Sequence, residues 1–236
     1  MNRIIKYWSI AMVIALTVSC GSNTKQKNEE VTEEIVSETE SEESVTEENN
    51  SSSIINPNLA TAEELESSGL TTELVTQITE NRPFLSMTDL NDLIGESMDS
   101  TQKAALYEKV FIKFNLNTTP EDDFKLIPGV GDRMAHEFEE YRPYVKIAQF
   151  REEMGKYVDD EEIVRFEHYV FVPVELNSAT KEEILAIPGV GDRMLHEFEE
   201  YRPYKSMEQF RKEIGKYVDE NELKRLERFV YLSDEK

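Results

Sequence analysis

The sequence has few of the residues that build disulfide frameworks and metal centres. Its 236 residues include one cysteine, Cys20, and three histidines. A single cysteine excludes a disulfide framework and a thiolate zinc site. His136 and His196 stand at equivalent positions of an internal repeat, so an all-histidine metal centre is not expected. The sequence predicts neither a resident metal nor a cofactor.

Basic residues are also scarce. The chain carries 26 lysines and arginines against 49 aspartates and glutamates, which is a formal net charge of −23. A broad positive surface that wraps nucleic acid is excluded, because the carboxylates would repel the phosphates. A small local contact with phosphate remains compatible with this charge. No serine, cysteine or lysine has a recognisable activating partner, so we expect no enzyme.

The amino-terminal apolar stretch is too short to cross a membrane. Tyr7 to Val18 spans 12 residues, whereas a membrane-spanning helix needs about 20. Arg3 and Lys6 precede this stretch and small residues follow it, which is typical of a secretory signal peptide. We therefore predict an export signal over residues 1–19, with a spanning helix as the less favoured alternative.

The apolar stretch ends in Leu16-Thr17-Val18-Ser19-Cys20, which resembles the lipobox of bacterial lipoproteins. The resemblance implies that Cys20 is lipidated and becomes the first residue of the mature protein. Several acyl chains anchor a protein stably, whereas a single chain binds only marginally. The implied location is an exported protein that is anchored to a membrane of the bacterial cell envelope.

Residues 20–54 form a polar and strongly acidic segment. Positions 21–54 hold 10 acidic and 2 basic side chains, with isolated valines and isoleucines. Such a composition cannot bury enough apolar surface to offset the entropy that the chain loses on folding. We predict a disordered tether that starts at the lipidated cysteine. A binding role for the acidic run is the alternative.

The rest of the chain repeats itself with a period of 60 residues. Ile127–Tyr144 and Ile187–Tyr204 are identical at 17 of 18 positions, and the exception is Ala135 against Leu195. A weaker copy lies 60 residues earlier, where Thr71 replaces a glycine and one residue is missing. Repetition at a fixed period indicates a repeat architecture. We predict three units, at residues 55–114, 115–174 and 175–236.

Each unit contains the signals of four short helices. Capping residues mark the predicted helix starts, and these are Thr61, Thr180, Asp159 and Asp219. Pro120 is predicted at the first position of a helix. Met134, Phe138 and Tyr141 fall at i, i+4 and i+7, which predicts one buried helical face. No useful length alternates with period two, so the predicted fold class is all-α.

His136 and Glu140 have the i, i+4 spacing of metal ligands on a helix. Two ligands do not complete a zinc site. An exposed helix residue is therefore the preferred interpretation of His136, and we predict no metal site.

A Pro-Gly-Val-Gly motif lies between two predicted helices in the second unit and again in the third. Gly129 and Gly131 permit positive φ and the close approach of another backbone, while Val130 is expected to point into the junction. The amides of Gly131, Asp132 and Arg133 would then be free at the positive end of a helix dipole, a place that suits phosphate. The side chain of Asp132 is also able to cap these amides.

The motif follows Asn117-Thr118-Thr119, and its copy follows Asn177-Ser178-Ala179. This pattern resembles the helix-hairpin-helix family, in particular the ComEA type of exported, membrane-attached DNA receptor of bacterial competence. The resemblance covers residues 55–236 and implies that the hairpins grip the phosphate backbone of double-stranded DNA without reading its sequence. The implied DNA contacts are Gly129, Val130, Gly131, Arg133, Gly189, Val190, Gly191 and Arg193.

Two functions of different classes remain open. The first is a tethered DNA binder that acts in the uptake or handling of extracellular DNA. The second is an exported scaffold that binds a protein partner and not DNA. The acid excess favours the scaffold, because residues 55–236 carry 39 acidic and 22 basic side chains, a net charge of −17.

Overall fold

A computed structural model of the protein describes residues 54–233. The predicted signal peptide, the lipidated Cys20 and nearly all of the predicted tether lie outside these residues. Within the described part, no helix combines the length and the apolar character that a membrane span requires.

The described chain is mostly helical, as predicted for the all-α class. The first segment, residues 55–114, holds α1 (Ala62–Ser67), α2 (Thr72–Glu80), α3 (Met87–Ile94), a 3-10 turn (Gly95–Ser97) and α4 (Ser100–Tyr107). The middle segment, residues 115–174, holds a 3-10 helix (Glu121–Leu126), α5 (Asp132–Glu140), α6 (Ile147–Met154) and α7 (Asp160–Glu167). The last segment, residues 175–236, holds α8 (Lys181–Leu185), α9 (Asp192–Glu200), α10 (Met207–Ile214) and α11 (Glu220–Glu227).

The helices start where the capping residues predict. Thr61 and Thr180 form complete capping boxes at α1 and α8. The side chains of Asp159 and Asp219 each accept a hydrogen bond from the third backbone amide of the helix that follows, α7 or α11. Pro120 departs from the prediction, because it precedes a 3-10 helix instead of opening an α-helix. Proline carries no side-chain oxygen that could cap the amides that follow it.

Short parallel strands join the two ends of each segment, a feature that the sequence did not predict. Strand β1 (Phe114–Asn115) pairs with β2 (Val170–Phe171), and β3 (Val174–Glu175) pairs with β4 (Val230–Tyr231). A single parallel bridge joins Ile55 to Val110 in the same way. Two-residue strands are too short to produce a readable alternation. Their pairing brings the end of each segment back to its beginning.

Phe138 of α5 lies at the centre of the middle segment. Its ring makes edge contacts with Phe124, Phe150 and Phe166 at centroid distances of 5.2, 5.1 and 5.1 Å. These rings belong to the 3-10 helix, α6 and α7, so α5 is packed on three sides. Of the predicted apolar stripe, Phe138 is fully buried, while Met134 and Tyr141 are partly buried and pack against the same core. This packing fixes the direction in which the first turn of α5 points.

The last segment also contacts the two segments before it. Arg228, the residue that follows α11, donates from Nη2 to the carbonyl oxygen of Lys113 at 2.9 Å. The side chain of Leu59 lies against Gly189, since a Cβ on that glycine would be 3.3 Å from both methyl carbons of the leucine. The chain thus folds back on itself.

Candidate nucleic-acid interface

The turn before α5 combines one positive-φ glycine with one extended glycine. Gly129 has φ 80°, and the next amide, that of Val130, donates to the carbonyl of Ile127 at 3.0 Å. The side chain of Val130 is 6% exposed and points into the core, as predicted. Both glycines permit positive φ, but only Gly129 uses it, because Gly131 has φ −102°. Any residue can adopt that conformation.

Gly131 matters because it leaves the first turn of α5 uncapped. It is the N-cap residue, and no side chain accepts a hydrogen bond from the helix amides. The first backbone hydrogen bond of the helix runs from Ala135 to the Gly131 carbonyl at 3.0 Å. The amides of Asp132, Arg133 and Met134 therefore have no partner within residues 54–233. A Cβ on Gly131 would meet no atom within 4 Å, and Gly131, Asp132 and Arg133 are all exposed.

The carboxylate of Asp132 does not cap these amides. Its Oδ1 atom lies 2.9 Å from Nζ of Lys125, which also contacts Asp122 at 2.6 Å. The hydrogen bonds that the Lys125 ammonium donates to Asp122 and Asp132 raise its pKa. The acidic side chain that could have occupied the anion site is thus held to one side of it.

The start of α9 repeats this geometry. Gly189 has φ 80°, the amide of Val190 donates to Ile187 at 3.0 Å, and Gly191 is an extended N-cap with φ −108° and no side-chain cap. A Cβ on Gly191 would also meet open space. One nearby position differs between the two sites: the residue equivalent to Lys125 is Leu185. Asp192 consequently has no counterpart of the lysine contact.

The start of α2 differs from both. Its turn is similar, with Gly69 at φ 105° and Leu70 buried. Thr71 takes the N-cap position, and its hydroxyl accepts a hydrogen bond from the amide of Leu74 at 3.3 Å. The side chain of the threonine fills the place that stays open at Gly131 and Gly191.

One arginine stands beside each open helix start. Arg133 and Arg193 are exposed, and neither has a carboxylate partner in the part of the chain that the structure describes. The guanidinium of Arg133 lies 5.7 Å from the ring centroid of Tyr157, a cation–π distance. The Tyr157 hydroxyl is in turn 2.6 Å from that of Tyr141, which holds the ring in place.

Two further arginines lie beside the glycines of the turns, and no signal in the sequence singled them out. Nη1 of Arg165 donates to the carbonyl of Pro128 at 2.8 Å, while Nε and Nη2 each lie 2.6 Å from the carboxylate of Glu162. Arg225 pairs with Glu222 in the same way and is only 1% exposed, but its Nη1 makes no hydrogen bond within the described residues. The i, i+3 spacing of these pairs was visible, but such pairs are common on exposed helix surfaces.

The second turn of the middle segment offers no comparable site. Gly155 has φ −59°, and the amides of Lys156, Tyr157 and Val158 all donate to carbonyls of α6 or its end. Asp159 then caps α7. Every amide of this turn is therefore already paired.

His136 is an exposed helix residue, in agreement with the preferred interpretation. Its imidazole is 61% exposed and lies 3.1 Å from Glu121 and 3.9 Å from Glu140. The hydrogen bond to Glu121 raises the pKa of His136. Within residues 54–233, no group of three or more histidine, cysteine or acidic side chains is placed to hold a metal ion.

The residues named from the sequence thus meet at two places, Gly129–Arg133 and Gly189–Arg193. The amides of Val130 and Val190 are used inside the turns, so the free donors begin at the following glycines. Comparison with known proteins gives no match among protein-family models, curated proteins or solved structures. The case for a function therefore depends on the geometry of these two helix starts.

Proposed function

We propose that the chain is a non-enzymatic lipoprotein of the helix-hairpin-helix type that binds the phosphate backbone of double-stranded DNA without sequence specificity. The observation that supports this proposal is the uncapped, solvent-open start of α5 and α9. Three helix amides at each start have no partner within the described residues, and an unpaired arginine stands beside them. Free amides at the positive end of a helix suit a phosphate.

In this proposal one phosphate binds at each open helix start. Its oxygens accept hydrogen bonds from the amides of Asp132 and Arg133, or of Asp192 and Arg193. The guanidinium of Arg133 or Arg193 then contacts a second oxygen of that phosphate or of its neighbour. These groups touch the backbone alone and reach no base edge, so binding is indifferent to sequence.

The expected affinity is low and only modestly dependent on salt. Residues 55–236 carry a net charge of −17, so few cations are available to displace counterions from DNA. We expect about two to four phosphates to be contacted, with a slope of roughly −0.9 per phosphate in a plot of log affinity against log salt.

The test is a titration of a labelled duplex by fluorescence anisotropy, with the full chain in detergent micelles. Binding should be measurable at about 50 mM salt and roughly 10- to 150-fold weaker at about 200 mM, which is the loss that two to four phosphate contacts imply. Two duplexes of unrelated sequence should bind equally. No detectable binding at about 50 mM salt would exclude this function.

We also propose that Cys20 anchors the protein, with residues 21–54 as its spacer. The basis is the lone cysteine at the end of the apolar stretch and the acidic segment behind it. Cys20→Ala should abolish labelling by a radioactive fatty acid and leave a larger or soluble form. Unchanged labelling of this variant would contradict the anchor.

A protein-interaction scaffold is the second candidate. The charge of −17 over residues 55–236 favours it, because a phosphate partner is repelled by this excess and a basic protein is attracted. Loss of DNA binding together with retained binding of a basic protein partner would select the scaffold.

A further inference from the structure

Two equivalent clefts lie at the junctions between segments. The first cleft, between the first and middle segments, is lined by Leu85, Asn115, Asp123 and their neighbours. The second cleft, between the middle and last segments, is lined by Val145, Glu175, Glu183 and their neighbours. Apart from Pro120 and the entering Arg228, every residue that lines the first cleft has its counterpart 60 positions later in the second.

The first cleft is occupied by Arg228, which enters it from the end of α11. Nη2 of Arg228 donates to the carbonyl oxygen of Lys113 at 2.9 Å. The guanidinium lies 5.7 Å from the ring centroid of Phe171 and 5.5 Å from that of Phe229, both within cation–π range. A carbonyl oxygen and aromatic rings therefore hold the arginine, and Asp123 lines the same cleft.

No side chain of residues 54–233 plays the part of Arg228 in the second cleft. Its volume is about 490 Å³, against about 270 Å³ for the first cleft with the arginine in place. Most of its floor is apolar and comes from the connection Val170–Val174 and from Phe229. A concave, largely apolar site with a few polar groups at its edge is typical of a binding site.

The groups that hold Arg228 have counterparts in the second cleft. Pro173, 60 positions after Lys113, is the counterpart of that lysine. Its carbonyl oxygen accepts no hydrogen bond within the described residues. Tyr231 replaces Phe171 as the aromatic ring. Glu183 replaces Asp123, and Glu175 replaces the neutral Asn115, so these counterpart positions carry one more carboxylate in the second cleft than in the first.

The cations on the wall of the second cleft do not neutralise Glu183. Nζ of Lys113 donates to the backbone carbonyl of Glu167 at 2.9 Å, and Nη2 of Arg151 donates to the carboxylate of Glu167 at 2.8 Å. Lys146 is the nearest cation to Glu183, but the two groups are 4.0 Å apart and the lysine side chain is 70% exposed. An exposed pair at this distance contributes little. An incoming guanidinium can therefore displace Lys146 from Glu183.

We propose that the second cleft binds an arginine side chain at the end of a helix of a basic protein partner, in the way that the first cleft binds Arg228. The net charge of −17 over residues 55–236 favours the approach of such a partner. This interaction surface is separate from the open starts of α5 and α9 and does not depend on DNA binding. Failure of this arginine-binding proposal would leave the DNA-binding proposal unaffected.

The experiment uses a fluorescein-labelled synthetic peptide of residues 219–233, which carries Arg228 in its natural sequence, and the full chain in detergent micelles. We expect saturable binding by fluorescence anisotropy. The Arg228→Ala form of the peptide should bind at least about tenfold more weakly, because it lacks the group that the cleft recognises.

Matched variants of the protein locate the binding. Val145→Trp fills the mouth of the second cleft and should weaken peptide binding by about tenfold or more. Glu183→Gln removes the charge but keeps the capping position, and should weaken binding about threefold. Leu85→Trp and Asp123→Asn make the same changes in the first cleft and should leave peptide affinity unchanged. Circular dichroism checks that each variant keeps its helical content.

Three results would overturn the proposal. These are no saturable binding up to about 1 mM peptide, equal binding of the Arg228→Ala peptide, and equal binding by the folded Val145→Trp variant. Displacement of the peptide by duplex DNA would assign the cleft to phosphate and would also overturn it.

Discussion

The starts of α2 and α5 share a turn and differ in one side chain. Both turns contain a glycine at positive φ followed by a buried apolar residue, Leu70 in one and Val130 in the other. Thr71 then caps α2 with its own hydroxyl, whereas Gly131 leaves α5 uncapped and open to solvent. The N-cap residue therefore decides whether the amides of the helix are used inside the protein or remain available to a ligand.

The largest expected effect comes from making α5 and α9 resemble α2. Gly131→Thr combined with Gly191→Thr should weaken duplex binding at least about tenfold, because each new hydroxyl takes the amides that phosphate would use. The substitution fits, since both glycines have extended backbones and open space at Cβ. Fluorescence anisotropy at low salt measures the loss.

The matched control is the reverse change, Thr71→Gly, which should not weaken duplex binding. Threonine and glycine are similar as N-cap residues, so all three changes should alter the free energy of unfolding by only a few tenths of a kcal/mol. Undiminished binding in the double threonine variant would separate the hairpins from any DNA contact.

The next effect concerns the two unpaired arginines. Arg133→Ala with Arg193→Ala should weaken duplex binding about five- to tenfold. The slope of log affinity against log salt should become shallower by the amount expected for the loss of about two phosphate contacts. Unrelated duplexes should lose affinity equally, because the arginines contact the backbone. An unchanged salt slope would show that neither side chain meets phosphate.

A smaller effect tests the cap itself. Thr71→Ala should lower the free energy of unfolding by about 1 kcal/mol, since the amide of Leu74 loses its hydroxyl partner. Thr71→Ser keeps the hydroxyl and should lose less than half as much. Urea denaturation followed by circular dichroism compares the two. Equal losses would mean that the methyl group, and not the hydroxyl, supports α2.

The smallest effect concerns the acidic residue beside each open start. Asp132→Asn with Asp192→Asn should strengthen duplex binding about two- to threefold, because each change removes a negative charge next to the phosphate. Asp192 makes no ion pair with a lysine within the described residues, so the single change at Asp192 should give the larger part of the gain in affinity. A decrease in affinity would contradict phosphate binding at these helix starts.

Several features of the fold were predictable because they are local. A capping residue acts within one helical turn, so Thr61, Thr180, Asp159 and Asp219 marked helix starts correctly. The burial of Val130 followed from its place between two glycines. The conformation of Gly131 was not predictable, because an extended glycine and a left-handed one look the same in sequence. The structure shows that this glycine matters for its missing side chain and not for its φ.

The sequence by itself determined the helical class, the periodicity and the residues that meet at each turn, since all of these depend on neighbours along the chain. Only the tertiary structure decided where Lys125 holds Asp132 and how Arg165 braces the turn before α5. It also decided that Arg228 enters one of two equivalent clefts. The physical reason is distance along the chain, because Arg228 and Lys113 are 115 residues apart and no local pattern relates them.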